Sequence, residues 1–370
     1  MSDPVGDIYT GSGCYIYTVL EGEKMESKIK DSVISADRLK EICNTLLSKV
    51  GVNTDNLDII TDSIVEANLH GIDTHGIAIL PTYLERIRKG ATKPNPNVKI
   101  IKEGTSFSVF DGDNGLGAVT GVKAVEKAVK ESKTKGAYIC LCRNNNTFGP
   151  AFYYNLLAAK EGMVGITMCN APSSMPPWGG KKILLGTNPI SIAVPVEGKN
   201  SIVLDMATSA AAKSKIYLAR DKGEKIPLGW ALDKDGNPTT EPEEALKGFI
   251  LPLGGHKGYG LALMIDILAG VLSGAGSLDE VGSLHNRMDR GQNVGFLFIV
   301  INPELTTGKE KFNESIQELV RKIKECPTLE EEKSVILPGE IEKIKRSDRL
   351  KNGIPIPASI MKQLNELLKD

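Results

Sequence analysis

The feature that most constrains how this chain folds is an alternation of strand and helix near its middle. Residues 137–142 and 164–169 are short apolar runs typical of buried strands, and a helical pattern over 150–160 separates them. A strand, a helix and a second strand in succession predict an α/β fold. Polar residues 143–147 follow the first strand, where side chains commonly face a cleft.

A glycine-rich segment, 111–117, precedes a helix predicted over 119–133. Its glycines, Gly115 and Gly117, together with Gly121, do not have the G-x-G-x-x-G spacing that marks a dinucleotide-binding turn of the Rossmann type. The segment is therefore predicted to be an ordinary loop followed by a helix start.

Hydrophobic periodicity predicts further elements on both sides of this region. Three helices come first, over 35–50, 55–69 and up to 88, followed by a hairpin of strands at 98–101 and 106–110. Later strands are predicted at 190–194, 201–205 and 295–302, and later helices at 210–222, 261–272, 312–324 and 358–368.

Composition excludes several classes of partner. The net charge is −1, which gives no reason to expect nucleic acid or an anionic membrane surface. No apolar run approaches the roughly 18 residues of a membrane span. The 6 cysteines show no disulfide framework, which predicts a reduced, cytoplasmic protein. Cys140 and Cys142 lack a second ligand pair, so no metal site is expected.

One of the 4 histidines, His75, stands out as a candidate acid/base. It follows Asp73 and Thr74 between two helical patterns, and a histidine beside a hydroxyl and a carboxylate suits proton transfer near neutral pH. The alternative is a histidine that caps a helix. From the local sequence alone these two interpretations are about equally favoured, since titratable clusters are only probabilistic markers of a site.

Two glycine-containing or small-residue segments are candidates for ligand contact. His256 and Lys257 follow two glycines at a predicted helix start, which suits an anion such as phosphate or carboxylate, although a solvated cap is the alternative. Small residues after Asp205 would let a helix start approach a ligand closely, and tight helix–strand packing explains them equally well.

Six motifs in one order resemble the type-2 malate/L-lactate dehydrogenase family. They are 73–76 (Asp-Thr-His-Gly), 146–149 (Asn-Thr-Phe-Gly), 186–189 (Gly-Thr-Asn-Pro), 205–209 (Asp-Met-Ala-Thr-Ser), 227–230 (Pro-Leu-Gly-Trp) and 254–258 (Gly-Gly-His-Lys-Gly). The resemblance covers roughly 33–342. It implies a homodimer with a non-Rossmann α/β domain that binds NAD or NADP, and a helical domain formed from both chain termini.

The resemblance also implies roles for individual residues. His75 matches the residue that protonates the substrate as hydride arrives, and Thr74 stands where the family has a serine that orients it. A cofactor-binding turn is matched by Asp205, Met206 and Ala207, while His256 and Lys257 resemble residues near the cofactor or its phosphates. A late loop that closes on the cofactor corresponds to Pro338, Gly339 and Glu340.

Three positions depart from the family pattern. Ile79 stands where many members have an arginine that clamps a substrate carboxylate, and isoleucine offers no hydrogen bonds. Thr147, the third catalytic candidate, replaces a histidine and cannot titrate near pH 7. Ala118 replaces a polar residue. Arg86 and Arg143 are the nearest candidates to replace the missing arginine.

These observations predict three regions and one preferred function. We expect an N-terminal extension at 1–30, a helical substrate domain at 31–115 and 305–370, and a cofactor domain at 116–304 with an inserted subregion at 224–248. The preferred function is hydride transfer between NAD(P) and a 2-oxo acid, 2-hydroxy acid or cyclic imino acid. The alternative is a cofactor-binding sensor or scaffold dimer without this chemistry. Lys213, Lys215 and Arg220 are candidates for contact with a 2′-phosphate, and a solvated helix face explains them equally well.

Overall fold

The computed structural model describes residues 31–329 and 334–369. The predicted N-terminal extension lies outside the described residues. Within them, no helix is both long and apolar enough to cross a membrane.

Helices and strands alternate along the chain as a mixed α/β fold. The helices are α1 (Ala36–Lys49), α2 (Thr54–Leu69), α3 (Leu80–Arg88), α4 (Gly117–Lys135), α5 (Ala151–Lys160), α6 (Lys213–Lys222), α7 (Pro242–Lys247), α8 (His256–Ile265), α9 (Lys309–Lys324), α10 (Glu340–Asn352) and α11 (Ala358–Lys369). The strands are β1 (Ser32–Ile34), β2 (Lys99–Glu103), β3 (Phe107–Leu116), β4 (Ala137–Asn146), β5 (Val164–Cys169), β6 (Ser173–Met175), β7 (Leu185–Gly186), β8 (Ile190–Val194), β9 (Ile202–Met206), β10 (Ala231–Leu232), β11 (Pro238–Thr239), β12 (Phe249–Ile250), β13 (Val294–Ile301) and β14 (Ile354–Ile356).

A 7-stranded sheet forms the centre of the molecule, in the order β2-β3-β4-β13-β5-β8-β9. Only β3 and β4 run parallel, and the other neighbours are antiparallel. The strand β13, from late in the chain, separates β4 from β5. The sheet is therefore mixed, although the local alternation of strands and helices is that of an α/β protein.

Alternate residues of the central strands face opposite layers of helices, as the pleat of a strand requires. Tyr138, Cys140 and Cys142 of β4 pack with residues of α4 and α5 on one face. Leu141 packs on the other face with Ile265 and with the π-helical segment Asp266–Val271 that continues α8. The sheet is thus covered on both sides, which explains why its central strands are apolar throughout.

A second apolar cluster joins the two ends of the described chain. Ser35 caps α1 by accepting the Arg38 N–H at 3.1 Å, and the apolar faces of α1, α2 and α3 pack together. Residues of β14 and α11 complete this cluster, and β14 pairs antiparallel with β1. The helical region therefore contains segments from both ends of the sequence.

The structure corrects two predicted loops. Residues 111–116, predicted to be a glycine-rich loop, belong to β3, which stays paired with β4 across a register shift. Asp113 and Asn114 accommodate this irregularity with φ values of 48° and 59°. Residues 143–146 likewise extend β4 beyond its predicted end. In both places a bulged strand contains the polar and glycine residues that suggested a loop.

Candidate active site

The His75 motif forms one turn of 3₁₀ helix, Asp73–His75, after α2. Asn68, which is 1% exposed, closes this turn from the inside. Its Nδ2 donates to Asp73 Oδ1 at 2.7 Å, and its Oδ1 accepts the Ile77 N–H at 2.6 Å. Gly76 is required because a Cβ there would lie 2.2 Å from Asn68 Oδ1. The motif is thus a fixed turn.

A second clamp on this turn comes from α10. Arg349 donates through Nη1 and Nη2 to the two carboxylate oxygens of Asp73, at 2.6 and 3.0 Å, and Nη1 also donates to the Asn68 carbonyl. The Arg349 side chain is 14% exposed. Among the described residues, Asp73 makes its side-chain hydrogen bonds with Arg349 and Asn68 and not with the imidazole.

The His75 side chain is exposed at the surface. The protein atoms around it nevertheless exclude part of its water, and this desolvation lowers its pKa below the usual value. Thr74 Oγ1 lies 3.1 Å from His75 Nδ1, so the hydroxyl orients the ring. Within the described chain the ring has no other hydrogen-bond partner, which leaves Nε2 for a substrate atom. A neutral imidazole with one free nitrogen can accept a proton at neutral pH.

Thr147 lies beside α3 in a strained backbone conformation, with φ of 55°. Its N–H donates to Gln292 Oε1 at 2.9 Å, and its Oγ1 lies 2.8 Å from the hydroxyl of Tyr83. Burial raises the pKa of Tyr83 to about 12, so this phenol stays protonated near neutral pH. Thr147 and Tyr83 thus form a neutral pair of hydroxyls.

Tyr83 is a candidate site residue that the sequence analysis did not identify. It follows Ile79 by four residues, a spacing that places both on one face of a helix. Ile79 and Ala118, two of the three departures from the family pattern, pack in or against the apolar cluster of the helical region. The position of the missing arginine is thus part of an apolar wall.

Arg86 does not replace the missing arginine, because its guanidinium is fully buried and already bonded. It donates to Asn146 Oδ1 at 3.0 Å and to three backbone carbonyls of one loop. These acceptors are the oxygens of Leu284, Arg287 and Arg290, at 3.2, 2.8 and 2.9 Å. Arg86 therefore fastens the loop 284–290 to the residue that precedes Thr147.

Arg143 is not available for a substrate either. Its Nε lies 3.3 Å from Asp111 Oδ2, and the two side chains form a partly exposed ion pair. Neither candidate from the sequence thus presents a free guanidinium at the position that Ile79 occupies.

A cleft of about 630 Å³ lies between the helical region and the edge strand β9. His70 and Ile72, which line it, come shortly before His75 in the chain. The volume falls within the range of small-molecule and cofactor sites. The remaining lining comes from Glu66 of α2, from α5, from β9 and the two residues before it, and from the segment 336–346, which includes the start of α10.

Asp205 of β9 lines this cleft. Its Oδ2 accepts the Phe152 N–H at 3.2 Å, at the start of α5. Burial, with a further contribution from Glu342, raises the pKa of Asp205 to about 7, while the bond from Phe152 opposes this. At neutral pH the carboxyl group can therefore serve either as an acceptor or, when protonated, as a donor of a hydrogen bond.

The late loop is attached directly to β9. The Pro338 carbonyl accepts the Val203 N–H at 3.0 Å, and Gly339 takes a φ of 87° against Val203. Both Pro338 and Gly339 line the cleft. Glu340 is used differently, since its Oε2 accepts the Leu337 N–H at 2.9 Å and pairs with Lys324 Nζ at 2.5 Å. It closes the turn and is not among the cleft-lining residues.

His256 and Lys257 lie at the exposed start of α8, outside the residues that line this cleft. Their segment nevertheless joins the Asp205 turn, because Leu253 N–H donates to the Thr208 carbonyl at 2.9 Å. Met206 and Ala207, which directly follow Asp205 in this turn, are half-buried. Trp178 packs edge-on against His256, with ring centroids 6.0 Å apart.

A buried hydroxyl lies next to the Asp205 turn. The Thr208 Oγ1 is buried and has no hydrogen-bond partner in the part of the chain that the structure describes, which leaves an unmet polar group beside Asp205–Ala207. Lys213, Lys215 and Arg220 do not line the cleft. Lys343 does, and among the described residues it has no anionic partner.

Comparison with known proteins places the chain among dehydrogenases. The family model described as malate/L-lactate dehydrogenase matches residues 34–365. Malate dehydrogenase of Pyrococcus horikoshii is 40% identical over 344 residues, which cover 91% of this chain and 94% of that protein. The structure of sulfolactate dehydrogenase from Methanocaldococcus jannaschii matches with a TM-score of 0.87 and 42% identity, covering 91% of this chain and 97% of the other.

Relatives also differ in substrate and cofactor. The structure of delta1-piperideine-2-carboxylate reductase from Pseudomonas syringae matches with a TM-score of 0.82 and 28% identity, over 91% of this chain and 99% of that one. Ureidoglycolate dehydrogenase of Escherichia coli, 33% identical over 90% of this chain, is named for NAD(+). (2R)-3-sulfolactate dehydrogenase of Chromohalobacter salexigens, 31% identical over 90%, is named for NADP(+).

The contribution of the buried Arg86 side chain to the free energy of unfolding can be tested. Arg86→Met should lower the free energy of unfolding by about 3 kcal/mol or more, because several buried acceptors lose a charged donor. Urea unfolding measures this change. Arg143→Met is the matched control, since an exposed ion pair contributes at most about 1 kcal/mol. Equal and small effects of both substitutions would contradict the buried role of Arg86.

Proposed function

Because this chain belongs to the malate/L-lactate dehydrogenase family, we propose that it is an NAD(P)-dependent oxidoreductase acting on a 2-oxo acid, 2-hydroxy acid or cyclic imino acid. The observation that carries this proposal is the His75 ring. It is oriented at Nδ1 by Thr74, and its Nε2 has no hydrogen-bond partner among the described residues. It stands three residues after Ile72, which lines the cleft, whereas His75 itself is not among the lining residues. Asp205, Met206, Ala207, Pro338 and Gly339 are the residues proposed to hold the cofactor.

His75 is proposed to handle the proton that accompanies hydride transfer. When bound, NAD(P) supplies or accepts the hydride at the substrate carbon. In reduction, protonated His75 donates from Nε2 to the substrate oxygen or nitrogen. In oxidation, neutral His75 takes the proton from the hydroxyl or amine. The lowered pKa of His75 favours the neutral form at pH 7 and so favours its action as a base.

The apolar wall supports a substrate that differs from small dicarboxylic acids. Ile79 and Ala118 offer no hydrogen bond, and the nearby hydroxyls of Thr147 and Tyr83 are neutral. A cyclic imino acid or a bulkier, less anionic 2-oxo acid suits these groups better than oxaloacetate does. An unpaired substrate carboxylate buried against this wall would be costly.

We further propose that the chain acts as a homodimer in the cytoplasm. A stripe of exposed apolar side chains runs along α8 and the segment that follows it, and such a stripe is typical of an interface. Its members are Leu261, Met264, Ile267, Val271 and Leu272. Cys43, Cys140, Cys142 and Cys169 are buried free thiols, which suits a reducing compartment.

The proposed domains are a helical substrate domain at 31–115 and 305–370, and a non-Rossmann cofactor domain at 116–304. The apolar cluster shared by α1, α2, α3, β14 and α11 supports the first, and the small sheet β11-β10-β12 supports an inserted subregion at 224–248. The hairpin β2–β3, at the end of the range 31–115, is hydrogen-bonded into the large sheet beside β4.

A panel of substrates tests the proposal. With NADH and NADPH as reductants, cyclic imino acids or bulky 2-oxo acids should give a kcat/KM about tenfold or more above that of oxaloacetate, because Ile79 replaces the carboxylate-binding arginine and neither Arg86 nor Arg143 is available in its place. Absorbance of the reduced nicotinamide measures the rate. Efficient turnover of oxaloacetate would contradict the proposed shift in substrate, and no turnover of any compound would favour a sensor.

Replacing the imidazole tests the proton step. His75→Asn should lower kcat by about 100-fold or more, since general acid/base catalysis contributes this much. In the unsubstituted protein, oxidation should rise with pH to a plateau whose midpoint lies below about pH 6.5, whereas reduction should fall through the same midpoint. Thr74→Ser keeps the orienting hydroxyl and is the control. An unchanged pH profile in His75→Asn would exclude the assigned role.

Lys343 is proposed to favour the phosphorylated cofactor. Burial lowers the pKa of Lys343, with a further contribution from Arg346, and a bound anion would relieve this cost. Lys343→Met should weaken NADPH binding about tenfold or more while changing NADH binding little, as expected for one lost charged hydrogen bond. Titration calorimetry measures both constants, with Lys351→Met on the same helix as the control. Equal losses for the two cofactors would refute this preference.

A further inference from the structure

One helix, α10, extends from the proposed cofactor cleft to the His75 motif. It begins at Glu340, directly after the loop that lines the cleft, and it carries Arg349 near its other end. Nine residues separate these positions, which corresponds to about 14 Å along a helix. The two parts of the proposed site are therefore connected by a single rigid element.

At the cleft end, the helix is fixed to the cofactor strand. The bond from Val203 to the Pro338 carbonyl ties the preceding loop to β9, the strand that carries Asp205. Glu340 closes the turn onto Lys324 and Leu337. Ile341 and Glu342, in the first turn of α10, line the cleft. A ligand in the cleft would thus touch the start of this helix.

In the middle, Arg346 joins α10 to α2. It donates to the two oxygens of Glu66 at 2.9 and 2.7 Å, and Glu66 also lies 3.3 Å from His70 Nδ1. These partners lower the pKa of Glu66 to about 2 against the effect of burial, which raises it. Both Arg346 and Glu66 line the cleft.

At the motif end, the Arg349 guanidinium holds the two groups that define the 3₁₀ turn. It donates to both oxygens of the Asp73 carboxylate and to the Asn68 carbonyl. The Asn68 side chain is in turn hydrogen-bonded to Asp73 and to Ile77, at the two ends of the turn. Such a planar, two-point grip fixes orientation as well as distance. His75 lies two residues after the gripped carboxylate.

We propose that Arg349 is a positioning residue for His75, and that α10 couples occupancy of the cleft to the placement of the imidazole. The proposal rests on the function proposed above for the identity of the cleft ligand and for the role of His75. Arg349 does not line the cleft, and its guanidinium is bound to Asp73 and to the Asn68 carbonyl. It keeps Asp73 neutralised and fixed, so that Thr74 and His75 present one arrangement to the substrate.

The test combines kinetics with NMR of the His75 ring. Arg349→Met should lower kcat about 10- to 100-fold, because small misplacements of a catalytic group have effects of this size. In the unsubstituted protein, saturating NADH or NADPH should move the His75 Cε1–H resonance, which a His75→Asn sample assigns. Arg349→Met should shift this resonance without cofactor and should lose most of the response to it. Arg349→Lys, which keeps the charge but not the two-point grip, should be intermediate.

Arg321→Met is the matched control, because Arg321 makes a similar two-point contact with Glu318 on the surface of α9. It should leave both kcat and the resonance unchanged. If Arg349→Met matches this control in both readouts, the positioning role is refuted. If Arg349→Met does not fold, Arg349→Lys decides in the same way. If no substrate is turned over, the function fails while the resonance still decides the positioning.

Discussion

The bidentate ion pair between Arg349 and Asp73 is the interaction on which the candidate site depends. It connects a residue of the C-terminal region to the turn that follows α2. Asn68 donates a further hydrogen bond to the same Asp73 carboxylate. With these contacts, a short and exposed segment becomes a fixed support for His75. The same C-terminal region adds β14 and α11 to the apolar cluster of the first three helices, so the core and the motif need the same long-range closure of the chain.

The chemistry of the site follows from which charges are already paired. Arg349 pairs with Asp73, Arg346 pairs with Glu66, and Arg86 is bound to backbone carbonyls. His75 and Asp205 lie outside these ion pairs and can change protonation state near neutral pH. Desolvation lowers the pKa of His75 and raises that of Asp205 to about 7. A site with neutral hydroxyls and an apolar wall can then move a proton without a strong preference for a doubly charged substrate.

Local features of this site are visible in the sequence, whereas its long-range partners are not. Periodicity predicts α1 and α2 because each has an apolar face, and the motif around His75 stands out by residue type. Arg349 and Tyr83 were not identified, because Arg349 meets Asp73 across 276 residues and the phenol meets Thr147 across 64. Residues 111–116 and 143–146 were predicted to be loops, because composition does not distinguish a bulged strand from a turn. The sequence offers Arg86 as a substitute for the missing arginine, because nothing in the sequence shows that its side chain is buried beneath the loop 284–290.

We propose that His75 and the cleft along β9 form one active site. A crystal structure with reduced cofactor and an unreactive substrate analogue tests it most directly. The account predicts the dinucleotide against Asp205 and Pro338, the nicotinamide C4 facing the analogue, and the analogue's oxygen or nitrogen about 2.6–3.2 Å from His75 Nε2. A dinucleotide bound elsewhere, or a nicotinamide directed away from His75, would contradict it.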